Sequence, residues 1–309
     1  MKKPPSLKAG DTVGVIAPAS PPDEANLERG IDFLQSKGLK IKRGEYLLDK
    51  DGYLAGPDEA RIKDLHRMFA DEEVKAIFCA GGGYGAARIA AHLDYELISN
   101  QPKIFWGYSD ITFLHIALQQ NANLVTFHGP MLASDIGKPD ASSISKSFFQ
   151  QLFSEMPLVY SSKISPLEVF IPGIAEGTLT GGNLTLVSST LGTSFEIDTE
   201  GKLLLLEDLN EEPRAVDRMM NQLYMAKKLQ TAAGIIIGDF LNCVPRRKGS
   251  TSLSLQEVLC HYLSLAGRPA MGGFLFGHSS PNIGLPLGVK AILNTKTKQL
   301  KVDSGISLK

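Results

Sequence analysis

A chain of 309 residues exceeds a typical single domain of roughly 100 to 200 residues, so two units, each with its own core, are expected. Apolar residues at 43% and charged residues at 21% exclude intrinsic disorder, and a net charge of -1 without a basic arm argues against a nucleic-acid partner. No run approaches the roughly 20 apolar residues that would cross a bilayer, so no membrane partner is expected. The prolines of "MKKPPSLKAG" interrupt any secretory core, and three cysteines without metal-ligand spacing (Cys79, Cys243, Cys260) read as free thiols of a reducing compartment, hence the cytoplasm.

In chain order, "TVGVIAPAS" reads as a buried strand ending at Pro18, and "PDEANLERGIDFLQSKG" has helical periodicity with a glycine stop. "VKAIFCAGGGYGAARIAAHL" repeats the arrangement as strand, glycine-rich turn and small-residue helix, and "KIFWGYSDITFLHIALQQ" repeats it again. Strands that are apolar throughout and alternate with helices predict a parallel sheet covered on both faces. The fold class is α/β: a doubly wound, mostly parallel N-terminal domain over residues 1–160 and a smaller α/β C-terminal domain over 161–309. The boundary is placed where the serine- and proline-rich "SEMPLVYSSKISPLEVFIPGIAEG" breaks the pattern. Beyond it lie short strands ("GKLLLLEDL", "AAGIIIGDF", "KAILNTKTKQLKVD") and two helices ("AVDRMMNQLYMAKKL", "SLQEVLCHYLSLA").

Ser109 falls between the apolar "KIFWG" and the amphipathic "ITFLHIAL". A serine at a strand-to-helix turn can present its hydroxyl at the carboxyl edge of a parallel sheet, and Gly107 permits the turn. The same position suits a plain helix cap by Ser109 or Asp110. A nucleophilic serine needs a base and the base an orienting acceptor. His115, six residues on, is turned by about 240° and displaced ~9 Å along a helix, which removes it as the partner. His66, His92 and His261 sit in helical patterns, whereas His128 ("TFHGPM") and His278 ("LFGHSSPNIGLPLG") leave apolar runs for loops, where site residues concentrate. Glu207 follows four leucines and is the candidate acceptor, with a solvated acidic turn (Glu207, Asp208, Glu211, Glu212) as the plain alternative. The amides of "AGGGYGA" can serve an oxyanion, although Gly81, Gly83 and Ala86 also fit a dinucleotide-binding pattern. That pattern supports a second reading, a non-catalytic small-ligand or dinucleotide-binding protein.

Together, "GDTVGVIAPAS", "GGGYGAARIAAHLDYELI", "KIFWGYSDITFLHIAL", "TFHGPM", "GTLTGGNLTLV", "LLLLEDLNEEPRAVDRM", "GIIIGDF" and "GHSSPNIGLPLG" resemble, in order and over nearly the whole chain, the serine LD-carboxypeptidases. That family also includes the microcin C immunity peptidases. The resemblance implies a cofactor- and metal-independent Ser, Glu, His triad mapping onto Ser109, Glu207 and His278. It implies an oxyanion hole from the Asp110 amide and an amide of Gly82 or Gly83, and a homodimer. It implies release of terminal D-Ala from a murein tetrapeptide in wall recycling, with cleavage of aminoacyl nucleotide analogues as the alternative. Tyr84, His128 and Asn183 are candidate substrate contacts, and Arg88, Arg214 and Arg218 are further candidate receivers for a terminal carboxylate. Gly81 stands where many murein-cleaving members carry arginine, while Tyr84 and Gly85 match that branch.

Overall fold

Continuous apolar runs become central strands because both of their faces are covered. In the computed structural model, which describes residues 1–246 and 251–308, these are β1 (Thr12–Ile16), β3 (Val74–Cys79) and β4 (Ile104–Gly107), flanked by the charged edge strand β2 (Lys40–Arg43) and by β5 (Thr126–His128). All five are parallel, in the order β2, β1, β3, β4, β5. Strand order reverses at β1 and β3, and ligands of such sheets bind beyond the carboxyl ends at that switch point. Here those ends are Ala17–Ser20 and the glycine loop of residues 81 to 85.

The first helix, Glu24–Ser36, forms as its pattern predicts: Asp23 caps it by accepting from the Asn26 amide at 2.8 Å, and Leu27, Gly30, Ile31 and Leu34 make its buried face. Each buried leucine or isoleucine of that stripe is worth about 1.5 to 3 kcal/mol. The helix expected after the glycine loop is shorter than its sequence suggests. It spans Ala86–Ala90, and a new helix begins at Tyr95. Asp94 causes the break, since its carboxylate caps Leu97 at 2.9 Å and its own amide donates to His66 Nε2 at 2.9 Å.

Two compact units result, one of residues 1–156, 280–288 and 304–309, the other of 157–279 and 289–303. In the second, β6 (Leu158–Ser161) and β7 (Glu168–Ile171) come from the serine- and proline-rich stretch, followed by β8 (Ile174–Asn183), β9 (Leu203–Leu209), β10 (Gly234–Leu241) and β11 (Ala270–Gly272). The chain then contributes β12 (Leu285–Leu287) to the first sheet, antiparallel to β5, and returns as β13 (Lys290–Asn294) and β14 (Gln299–Val302). The second sheet runs β6, β14, β13, β8, β9, β10, β11, β7. Its centre, β8 to β11, is parallel, and its outer strands are antiparallel. Among the described residues no helix is long and apolar enough to cross a membrane.

Candidate active site

β4 ends at Gly107, and two residues later Ser109 adopts φ +63°, a left-handed conformation costing a non-glycine residue about 1 to 2 kcal/mol. A 3₁₀ turn, Ser109–Ile111, then feeds the helix Thr112–Ala122. A plain cap would need no such strain, because cap residues sit comfortably in extended backbone. Asp110 does not cap its own helix either. Its buried carboxylate accepts the Ala86 amide at 2.7 Å, capping the helix that follows the glycine loop. Burial pushes this carboxyl up to about 6, against the opposing pull of the Ala86 amide and the Arg61 guanidinium.

The strained turn is braced from below. His115 is fully buried and its Nε2–H donates to the Gly107 carbonyl at 2.8 Å, while burial holds its pKa down to about 4, so the ring is neutral. Trp106 is likewise buried, its indole N–H donating to the Pro130 carbonyl at 2.8 Å.

The glycine loop packs against the serine. A Cβ on Gly82 would lie 3.0 Å from Ser109 Cβ and 3.2 Å from its Oγ, so the loop backbone borders the hydroxyl directly. Gly83 and Gly85 have φ of +107° and +123°. Buried Arg61 fixes the far end of the loop by donating to the Gly85 carbonyl at 2.8 Å and the Pro18 carbonyl at 2.7 Å, and it pairs with Asp58. Tyr84 projects from the loop, about half exposed, edge-on to Tyr53 with ring centroids 5.5 Å apart. Ser109, Asp110, Gly82, Gly83 and Tyr84 thus form one constellation in the first unit. At Gly81, an added Cβ would meet Ser134 Oγ at 3.1 Å.

In the second unit, Glu207 on β9 is completely buried, and its Oε2 accepts His278 Nδ1–H at 2.8 Å. A carboxylate on Nδ1 fixes the tautomer and leaves Nε2 as the basic nitrogen. Burial raises the Glu207 pKa, offset by hydrogen bonds from His278 and Asn183. Two glycines make room for the pair. A Cβ at Gly277 would sit 2.8 Å from Glu207 Oε2, and one at Gly238 would sit 3.0 Å from Glu207 Cβ. Asp239 holds the histidine loop on both sides of His278: its amide donates to the Phe276 carbonyl at 3.0 Å, and its carboxylate accepts the Ser279 hydroxyl.

Of the remaining predicted contacts, Asn183 joins this group through its hydrogen bond to Glu207. His128 is buried on β5, edge-on to Tyr108 with centroids 5.6 Å apart. Asn183 is buried at the end of β8, donating to Asp208 Oδ1 at 3.0 Å and capping Leu186 at 3.2 Å. Arg88 pairs with Asp58 at 2.9 Å and Arg214 with Glu212 at 2.6 Å, whereas Arg218 is an exposed helix residue. Asp208 is buried and hydrogen-bonded, so the acidic turn is solvated only from Asn210 onward. Sequence reading missed Ser20, Arg61 and Asp239: Ser20 follows the end of β1, whereas Arg61 lies within the helix Asp58–Ala70 and Asp239 within β10, positions that carry no local signal. Among the described residues no group of three or more His, Cys, Asp or Glu side chains is placed to share a metal ion.

Residues 13–129 match the LD-carboxypeptidase N-terminal domain and residues 176–293 the C-terminal domain of the same family. A relative named probable murein peptide carboxypeptidase, from Bacillus subtilis, is 56% identical over 99% of this chain and 95% of its own length. The muramoyltetrapeptide carboxypeptidase of Oxalobacter formigenes superposes with a TM-score of 0.84 at 28% identity, covering 96% of this chain and all of that one. The microcin C7 self-immunity protein of Escherichia coli is 26% identical over 96% of this chain and 94% of its own length. A solved structure of that immunity protein superposes with a TM-score of 0.90, covering 99% of this chain and 100% of that one. With both domain models matched in order and a relative of that identity along its whole length, the chain belongs to the LD-carboxypeptidase family and is a serine-type peptidase.

Proposed function

We propose that this peptidase hydrolyses the amide between the L-centre of a diamino acid and terminal D-Ala in a murein tetrapeptide, with Ser109 as nucleophile, His278 as base and Glu207 as its orienting acceptor. The observation that carries the reading is the left-handed Ser109 at the end of β4, with the glycine loop against its hydroxyl. His278 Nε2 takes the Ser109 proton as Oγ attacks the carbonyl carbon, and the Asp110 amide and a glycine-loop amide receive the oxyanion. As the C–N bond breaks, the imidazolium returns the proton to the D-Ala nitrogen, leaving an acyl ester on Ser109. Water, deprotonated by the same nitrogen, attacks the ester, releases the shortened peptide and restores the serine. No cofactor is required for these steps. The 56% identity to a probable murein peptide carboxypeptidase supports the substrate class. The nucleotide-analogue alternative calls for an aromatic ring to stack on a base; Trp106, the single tryptophan, is buried in the first sheet, whereas the rings of Tyr53 and Tyr84 are exposed at the glycine loop. A cytoplasmic homodimer completes the proposal, from the cysteine usage and the family resemblance.

D-Ala release from a tetrapeptide ending in diaminopimelate-D-Ala tests the proposal. Wild type is expected to release D-Ala with or without chelator, and Ser109→Ala to lose at least ~10³ of the rate. Full turnover by the variant would sink the serine mechanism. Cleavage of a glutamyl sulfamoyl nucleotide with no D-Ala release would replace the murein substrate.

A further inference from the structure

Ser20 makes three hydrogen bonds, two of them to the peptide groups that flank one glycine, Gly83. β1 delivers it to the switch point, where its backbone amide donates to the Gly82 carbonyl at 3.1 Å. Its hydroxyl donates to the Tyr53 carbonyl at 2.7 Å and accepts the Tyr84 amide at 3.2 Å. The carbonyl before Gly83 and the amide after it are therefore both held by the same residue. Gly83 itself has φ +107°, and a Cβ there would lie 2.3 Å from Ser20 Oγ and 2.6 Å from Ser20 Cβ. Glycine is required at 83 by backbone conformation and by Ser20 at once.

The orientation of the Gly82–Gly83 peptide follows from sheet order. β3 lies between β1 and β4, so its loop has Ser20 on one side and Ser109 on the other. In a trans peptide the carbonyl and the following N–H point in opposite directions. With the Gly82 carbonyl held toward Ser20 on the β1 side, the Gly83 N–H faces the β4 side, where Ser109 lies. The hydroxyl-accepted amide of Tyr84 is engaged by Ser20 and is removed from consideration as a donor.

We infer that Ser20 is a positioning residue for hydrolysis: it selects the Gly83 amide as the glycine-loop donor to the oxyanion and holds it aimed before substrate arrives. The inference rests on the serine mechanism proposed above. A donor fixed in advance acts on the transition state and not on ground-state binding, so its loss lowers kcat more than it raises KM. Removing the hydroxyl leaves the Ser20 backbone bond to Gly82 intact, and the expected defect is correspondingly partial.

The test is Ser20→Ala in the full chain. We expect kcat for D-Ala release to fall about 10- to 100-fold, as donor misplacement does, with KM and thermal midpoint nearly unchanged. In a Ser109→Ala background, calorimetric affinity for the tetrapeptide is expected to be the same with and without Ser20→Ala. A second pair uses the steric contact: Gly83→Ala should cost less activity in a Ser20→Gly background than in wild type, a non-additivity expected of residues in contact. Unchanged kcat in Ser20→Ala, equal loss of kcat/KM and ground-state affinity, or strict additivity of the second pair would each overturn the positioning role. Those outcomes differ from failure of the mechanism itself, which Ser109→Ala reports by retaining turnover.

Discussion

At the scale of single residues, the nucleophile candidate sits between two buried ionisable groups of opposite pH sense. His115 below it is held neutral with a pKa of about 4, and Asp110 beside it is raised to about 6. Below pH ~6.5 the unfolded chain protonates a histidine that the native state refuses, so the His115 contribution is complete above that pH and lost as pH falls toward 4. Asp110 behaves in reverse. The unfolded carboxyl ionises above ~3.9 while the native one resists until about 6, so its contribution declines as pH rises through that window. The two offset one another between pH 4 and 6. His115→Gln keeps a donor for the Gly107 carbonyl and removes one of the two titrations. Its stability relative to wild type is therefore expected to climb as pH drops from 6.5 to 4, read from denaturant midpoints at fixed pH. A difference that does not change with pH would show that the imidazole is not held neutral.

Among the elements, the glycine loop separates catalytic from structural demands one position at a time. At Gly82, where no positive φ constrains the backbone, an added methyl meets Ser109 at 3.0 Å, so Gly82→Ala is expected to fold while losing about 10- to 100-fold in kcat through a displaced hydroxyl. At Gly85, with φ +123° and Leu54 and Arg61 at 2.6 and 2.7 Å, the same change is expected to destabilise the fold first. Turnover and thermal midpoint measured on both variants would check this, and a Gly82→Ala enzyme with full kcat would dissociate the loop from the serine. The contrast marks how far the sequence was legible. The strands β1, β3, β4, β9 and β10 were read because continuous apolar runs are short and bounded by turn residues; Ser109 stands just beyond β4 and Glu207 near the end of β9, while His278 lies in the loop after β11. The short helix after the glycines was not, because the Asp94 carboxylate caps the next helix by accepting the Leu97 amide while the Asp94 amide donates to His66, bonds that periodicity does not register. Ser20, Arg61 and Asp239 were missed for a related reason. Their roles consist of bonds to distant backbone carbonyls and amides, and local pattern carries no information about those partners.

For the whole molecule, the chain returns twice to its first unit, and this connectivity has a measurable cost when cut. β12 is three residues long and contains a proline, too short and too irregular to declare its sheet from sequence. Yet it pairs with β5, and the backbone at Gly284 comes so close to Trp106 that a Cβ would lie 2.4 Å from the indole. The last segment adds to the same wall: Ser307 exchanges backbone bonds with Ser6 at 3.1 Å and Pro4 at 2.9 Å, Gly305 abuts the Phe127 ring, and Ile306 is fully buried. Loss of Ile306 alone removes about 2 to 5 kcal/mol. Trp106, the only tryptophan, lies in this unit and makes its fluorescence a private reporter of it. Deleting the chain from Ser304 onward is therefore expected to lower the denaturant midpoint seen by tryptophan emission, with the native emission moving to longer wavelength as the wall over β5 opens. Unchanged emission and midpoint would mean that the final segment merely lies on the first unit, and that residues 1–156 with 280–288 form its core unaided.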